Sequence, residues 1–467
     1  MSPEQIAGLA PALTEFLGGF RNCLGECRLL GHFATYCRGL LSNLQRKSVE
    51  PIALAAGSTV RALQLFLTHR VWDHRRLRDR LQQRIAALHT PAPGTIRPSD
   101  DLGVIGLIDE TSVAKKGDKT PGVQRQYCGA SGKIENCIVT VHLGCCHGPH
   151  GQFKALLDSD LFLPKSWSDN RQRCREADIP EDLLYRPKTA IALDQVRHAL
   201  GNGIAFDWLV FDEGYGKDPS FLYGLDELGR TWIGEVPKSF RCWPTLPQYR
   251  SLRREFASKK VENVVRWSPA FIYQDWQAIT FPRQTVEPIV WDVKAAQVYL
   301  AKDGHPTDRT YWLIVAWNRG TGEYKYFLSN APPRTKLDWL LKVAFRRADI
   351  EHLFRLAKDE VGLDHFEGRS YVGLMRHMIL CQLTLLFLAE QTARLNAEVA
   401  SAAQPPLEIQ AERGEKETDA SDARRNSAQD QSSKAPTPQA AHLDSDPTAP
   451  HHGANRGLAE LAVCPLA

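Results

Sequence analysis

Apolar positions along this chain change their spacing several times, and each change marks a different kind of element. Over residues 1–95 they follow helical spacing, most clearly in TVRALQLFLTHRVWDHRRLRDRLQQRIAALH at 59–89, which predicts amphipathic helices. The Pro/Gly/Ser stretch APGTIRPSD at 92–100 reads as a linker. Two short apolar runs follow, GVIGLIDETSV at 103–113 and FDWLVFDEGYG at 206–216. Each reads as a buried strand that stops at an acid, Asp109 in the first and Asp212 in the second. Between them, alternation and central glycines in GVQRQYCGASGKIENCIVTVHLGC, 122–145, predict an antiparallel hairpin. KTAIALDQVRHALGNGI, 188–204, predicts a helix that ends in glycines and feeds the second strand.

From Asp212 to Glu351 the chain runs 139 positions, too far for a simple connection. TWIGEV, AFIYQDWQAITF, PIVWDV, RTYWLIVAW and YKYFLS read as strands there, so a β-rich insertion is expected over 237–333. Seven of the eleven Trp lie between residues 232 and 317, where a small β core accounts for most of them. The part from Arg241 to Trp267, with Arg250, Arg253, Arg254, Lys259, Lys260 and Arg266, also suits stacking and phosphate contact with DNA ends.

Further on, RADIEHLFRLAKDEVGLDHFEGRSY at 347–371 opens on a helix. At helical spacing Arg347, Glu351 and Lys358 point within roughly 40° of one direction, while Ile350, Leu353, Ala357 and Val361 gather elsewhere and face a core. Taken alone, such a stripe is equally a solvated ion-pair ladder, and either strand-ending Asp is equally the start of a turn. MILCQLTLLFLA at 378–389 is too short to span a bilayer and reads as a core helix. Beyond residue 396 the composition shifts to Ala, Ser, Pro, Gln, Asp and Glu, the pattern of a disordered tail.

Strand-Asp, strand-Asp and helix-Glu in this order resemble the acid triad of the DDE transposases. Arg347, Glu351 and Lys358 form R-x3-E-x6-K, which is similar to the third-acid signature of bacterial insertion-sequence transposases. RKSVEPIA at 46–53, KKG at 115–117, GVQRQYCG at 122–129, GKIENC at 132–137 and EVGLDHFEGRSY at 360–371 resemble the insertion sequence 701 family. Ala344 stands where neighbouring families often carry a Tyr, and Glu213 stands before GY where a small residue is expected.

The resemblance implies an α/β fold with an RNase H-like core. Its parts are a helical N-terminal domain at 1–95 with DNA-binding character, core segments at 100–236 and 334–395, the β-rich insertion, and the tail at 396–467. The implied reaction is cleavage of insertion-sequence ends and strand transfer into target DNA. Phosphodiester chemistry of this kind needs two divalent ions, Mg²⁺ with Mn²⁺ as an alternative, and hard ions want oxygen ligands. In this assignment Asp109 bridges both ions, and Asp212 and Glu351 each hold one. Arg347 and Lys358 bind phosphates beside the scissile bond, with Lys115, Lys116, Arg125 and Tyr127 as further DNA contacts. The partners are transposon-end and target DNA, with a homodimer assembled on the DNA. A transposase-derived DNA-binding protein that no longer cuts and a nuclease that hydrolyses without joining remain open alternatives.

Charge fits this picture once the tail is set apart. The whole chain carries +4, but eleven acids against six bases from residue 397 onward leave the preceding residues at +9. His69, Arg70, His74, Arg75, Arg76, Arg78, Arg80 and Arg84 cluster against only Asp73 and Asp79, which suits a DNA-facing surface. The group His142, Cys145, Cys146, His147 and His150 matches no standard zinc spacing. Eleven Cys, an odd number, and an N-terminus without a signal-peptide pattern fit a cytoplasmic protein with no membrane segment.

Overall fold

The computed structural model describes residues 3–90, 97–98, 100–148, 151–247, 257–281 and 288–402. Most of the expected linker at 92–100, His150, Arg250, Arg253, Arg254 and the tail beyond residue 402 lie outside the described residues.

Five helices open the chain: α1 (Pro3–Gly18), α2 (Cys27–Leu41), α3 (Val49–Ala55), α4 (Val60–Thr68) and α5 (His74–His89). Side-chain oxygens start the last two, Thr59 accepting from Ala62 N at 3.3 Å and Asp73 from Arg75 N at 2.8 Å. Leu77, Leu81 and Ile85 of α5 are buried at helical spacing, and the main hydrophobic core continues from Leu13 to Phe387. The Arg cluster of α5 and the turn before it divides between two environments. Arg84 makes a two-bond pair with Glu390, both at 2.6 Å, and Arg78 reaches the buried Asp158 at 3.3 Å. Arg70, Arg75, Arg76 and Arg80 stay exposed.

Among the described residues thirteen strands form one sheet system. The first six are β1 (Ile105–Ala114), β2 (Gln124–Cys128), β3 (Lys133–His147), β4 (Phe153–Leu161), β5 (Trp208–Phe211) and β6 (Trp232–Glu235). The rest are β7 (Arg241–Trp243), β8 (Lys259–Lys260), β9 (Gln277–Phe281), β10 (Ile289–Lys302), β11 (His305–Pro306), β12 (Tyr311–Asn318) and β13 (Tyr324–Ser329). The order is β2-β3-β1-β5-β6-β13-β12-β10-β7-β8, with β4 also on β3, and β9 and β11 on β10. β1, β5 and β6 are mutually parallel, and the other pairs are antiparallel.

Helices α6 (Lys165–Ser168), α7 (Arg171–Glu176) and α8 (Lys188–Gly201) lie between β4 and β5, and α9 (Glu213–Gly216) and α10 (Pro219–Glu227) lie between β5 and β6. The expected strand at 270–281 begins as a helix. α11 (Val261–Trp267) and α12 (Pro269–Ile272) precede β9, because Pro269 is well placed in a first helical turn and cannot donate to a ladder. The strands beyond β6 join the same sheet, since β13 pairs with β6 from Phe327 to Ser329. Gly234 makes room at that junction, because a Cβ there would lie 1.9 Å from the Phe211 ring.

α13 (Leu337–Phe345), α14 (Ala348–Asp359) and α15 (Tyr371–Ala402) close the fold. Over Tyr371–Val399 α15 is long and apolar enough to cross a membrane, but 83% of its most apolar window is buried, packed on β4 and the N-terminal helices. It is a core helix, longer than the apolar run alone suggests.

Candidate active site

Strand register brings Asp109 and Asp212 together. β1 and β5 run parallel with Ile108 opposite Phe211, so the next residue of each strand comes side by side where the ladder ends. β5 stops because Asp212 turns to cap α9, its Oδ1 accepting from Tyr215 N at 3.3 Å. β1 does not stop at its acid, contrary to the sequence expectation. β3 keeps pairing with it out to Ala114, so Asp109 sits in mid-strand opposite His142 and is 7% exposed.

Glu351 arrives from the other direction on α14. Ile350, Leu353, Phe354 and Ala357 form the buried face of this helix, as the helical spacing required. Its approach depends on Gly144 of β3, where a Cβ would lie 2.9 Å from Ile350 Cδ1 and 3.1 Å from Leu353 Cδ1. Sequence reasoning missed this residue. The signal was a glycine inside a continuous apolar strand, a usual mark of close approach. Asp349 fixes the helix start through Lys154 at 2.9 Å and Arg346 at 3.3 Å.

Arg347, at the N-cap of α14, is the hub of the site. Its Nη2 lies 2.8 Å from Asp109 Oδ2 and 3.8 Å from Asp212 Oδ2, and its Nη1 lies 2.5 Å from Glu351 Oε1. The expected cation framing the carboxylate is thus hydrogen-bonded to Asp109 and Glu351 and ion-paired with Asp212. The helical wheel gave its direction correctly; the depth came from packing.

Burial pushes the Asp109 carboxyl up to about 7, Arg347 pulls it down, and the charge of Asp212 pushes it up again. Asp212 is raised for the same first reason, with Glu110 adding repulsion. Glu110, which sequence reasoning passed over, pairs with Lys188 at 2.6 Å. Among the described residues no three His, Cys, Asp or Glu side chains form a ready cation cage, and here a guanidinium stands between the three acids. The donor set nonetheless fits a hard divalent cation: it is all carboxylate oxygen, and burial and mutual repulsion at Asp109 are what a nearby cation relieves. The His142, Cys145 and Cys146 group makes no such cluster; His142 bonds Thr140 at 2.7 Å and Ser159 at 2.6 Å.

The remaining sequence candidates separate. Lys358 is half-buried on α14 and makes no ion pair among the described residues. Lys116 is exposed, and Arg125 and Tyr127 lie two apart on the edge strand β2, so they share one exposed face. Lys115 is not a surface contact. Its Nζ donates to Phe366 O at 2.5 Å, and burial pulls its ammonium down to about 8. Lys47, also buried, donates to Glu360 O, and Arg46 pairs with Glu367 at 2.6 Å. Three stretches that carried the resemblance, at 46–53, 115–117 and 360–371, therefore meet in one junction behind α14. Exposed Trp267 and Trp276 sit under Arg266 and Lys294, at 4.8 and 4.9 Å from the ring centres, whereas Trp232, Trp243 and Trp291 are buried.

Residues 19–292 match the family model of the DDE superfamily endonucleases, more than half of the chain and both strand acids. The chain belongs to the DDE superfamily endonucleases. It is an enzyme of the DDE transposase type, similar to the transposase of IS701, and an α/β protein with a large mixed sheet, in keeping with a DDE nuclease fold. It is 28% identical over 311 residues to the probable transposase for insertion sequence element IS701 of Microchaete diplosiphon, covering 63% of this chain and 74% of that protein. DDE endonucleases generally use divalent metal ions, in keeping with the carboxylate donors described above. α14 lies beyond the family match, so the case for Glu351 rests on its geometry.

Proposed function

We propose that this endonuclease cuts the ends of an insertion sequence and joins them to target DNA, using Asp109, Asp212 and Glu351 to hold two divalent ions. The observation that carries this reading is the convergence of the three carboxylates, from β1, β5 and α14, on one guanidinium. The order β4-β3-β1-β5-β6, with β5 and β6 parallel to β1, supports an RNase H-like core, with β7–β13 as the β-rich segment inserted before the third acid.

Asp109, beside Asp212 and joined to Glu351 through Arg347, would be shared by two Mg²⁺ or Mn²⁺ ions, and Asp212 and Glu351 would hold one each. When bound, the ions lower the pKa of a water or DNA 3′-hydroxyl and neutralise the leaving oxygen. Lys358 binds a phosphate beside the scissile bond, and Lys116, Arg125 and Tyr127 hold the duplex farther along the β2 edge. The exposed arginines of α4 and α5 and the Arg266–Trp267 pair contribute contacts to end DNA, on which two copies of the chain assemble.

Purified Asp109→Asn, Asp212→Asn and Glu351→Gln are each expected to lose Mg²⁺-dependent cleavage of end DNA while retaining DNA binding. Cleavage near the wild-type rate in any one of them removes that acid from the triad. Offering wild type a precleaved end with a free 3′-hydroxyl tests joining: no strand-transfer product would leave only hydrolysis.

A further inference from the structure

An ordinary structural arginine uses its donors on well-matched partners. Arg347 is bonded to Glu351 at 2.5 Å and to Asp109 at 2.8 Å, lies 3.8 Å from Asp212, and leaves its buried Nε without a hydrogen-bond partner among the described residues. Its guanidinium thus takes one oxygen each of Asp109 and Glu351 that an ion would need. Mg²⁺ binds carboxylate oxygen at about 2.0–2.1 Å. A fork already in hydrogen-bond contact with those oxygens cannot stay while an ion enters.

We propose that Arg347 makes ion loading conditional on DNA: it holds the three acids itself until a DNA phosphate draws it out, and only then do the acids accept divalent ions. This rests on the assignment of Asp109, Asp212 and Glu351 as the ion-holding acids. A phosphate is the fitting acceptor because it offers a guanidinium the same charge and two-bond geometry as a carboxylate. The backbone permits the move. Arg347 sits at the break between α13 and α14, so its side chain can leave without breaking the α14 ladder. Arg346 next to it is tied to Asp349, so the helix start stays anchored while Arg347 turns. Coupling between sites is reciprocal, so DNA tightens the ions and the ions tighten DNA through the same residue. The benefit is a nuclease whose acids bind ions poorly until its substrate is present.

The test is Mn²⁺ binding to the full-length protein, read from the electron paramagnetic resonance signal of free Mn²⁺, with and without a duplex carrying the end of the element. Without DNA, Arg347→Gln is expected to bind Mn²⁺ about tenfold or more tighter than wild type, a common size for coupling between sites. With DNA the gap closes, because the wild-type guanidinium has left. Equal Mn²⁺ affinity of wild type and Arg347→Gln without DNA overturns the proposal. Should Arg347→Gln not fold, Arg347→Lys carries the same test, since a single ammonium cannot fork among three acids, and unchanged Mn²⁺ affinity there overturns the proposal too. Adding Asp109→Asn to each variant separates the failures. Mn²⁺ binding that survives Asp109→Asn refutes the ligand assignment, whereas binding that is lost with Asp109→Asn but indifferent to Arg347 refutes the coupling alone.

Discussion

Replacing Lys115 by Met removes an ammonium that the fold has stripped of much of its water. The side chain donates to Phe366 O at 2.5 Å, and burial, the largest influence, pulls its pKa from 10.5 to about 8. The unfolded chain therefore binds a proton more readily than the folded one between these values. Stability must rise with pH through that window and level off above the unfolded pKa. From about pH 7 to about pH 9.5 the gain is about 2 kcal/mol. Buried Cys37 and Tyr36 have raised pKa values and act in the opposite sense, so the quantity to read is wild type minus Lys115→Met. At neutral pH the substitution removes the cost of the buried charge but leaves Phe366 O unpaired, at about 1–3 kcal/mol, so the two effects nearly offset. Denaturant unfolding at several pH values measures the difference, and affinity for end DNA against salt measures the other half. Lys115→Met should leave the salt slope unchanged, while Lys116→Met should flatten it by about one unit without affecting stability. Parallel stability curves for wild type and Lys115→Met, or a flattened slope for Lys115→Met, would refute the buried role.

Gly144→Val should lower cleavage more than its stability loss of about 1–3 kcal/mol explains, because the added methyls press on Ile350 and Leu353 and move α14 with Glu351. Unfolding midpoints beside cleavage rates check it, and an unchanged rate per folded molecule would reduce the contact to packing. Lys358→Ala should weaken binding to precleaved ends, flatten the salt dependence by about one unit and slow cleavage. Identical slopes and rates would return Lys358 to a solvated helix face.

The sequence by itself determined the order of the acids, the helical N-terminal segment, the β2–β3 hairpin, the α8 helix and the buried face of α14. These are properties of local spacing, and a period of two or of 3.6 is readable wherever one face is buried. The family resemblance was readable for a related reason, since its motifs are contiguous runs. Depth and partnership were decided by the tertiary structure. A helical wheel puts Arg347 and Glu351 on one side, but only the docking of α14 over Gly144 lowers that side onto Asp109. Neighbouring lysines of one motif look equivalent in a string, yet the strand end and the 360–367 loop bury Lys115 and leave Lys116 in water. Arg78 and Arg84 look like their exposed neighbours until β4 and α15 supply Asp158 and Glu390. β1 continues past Asp109 because β3 offers it a ladder, and the strands after β6 join the main sheet because β13 returns to pair with β6. Each of these depends on a partner far along the chain, and the periodicity of a segment carries no record of what will pack against it.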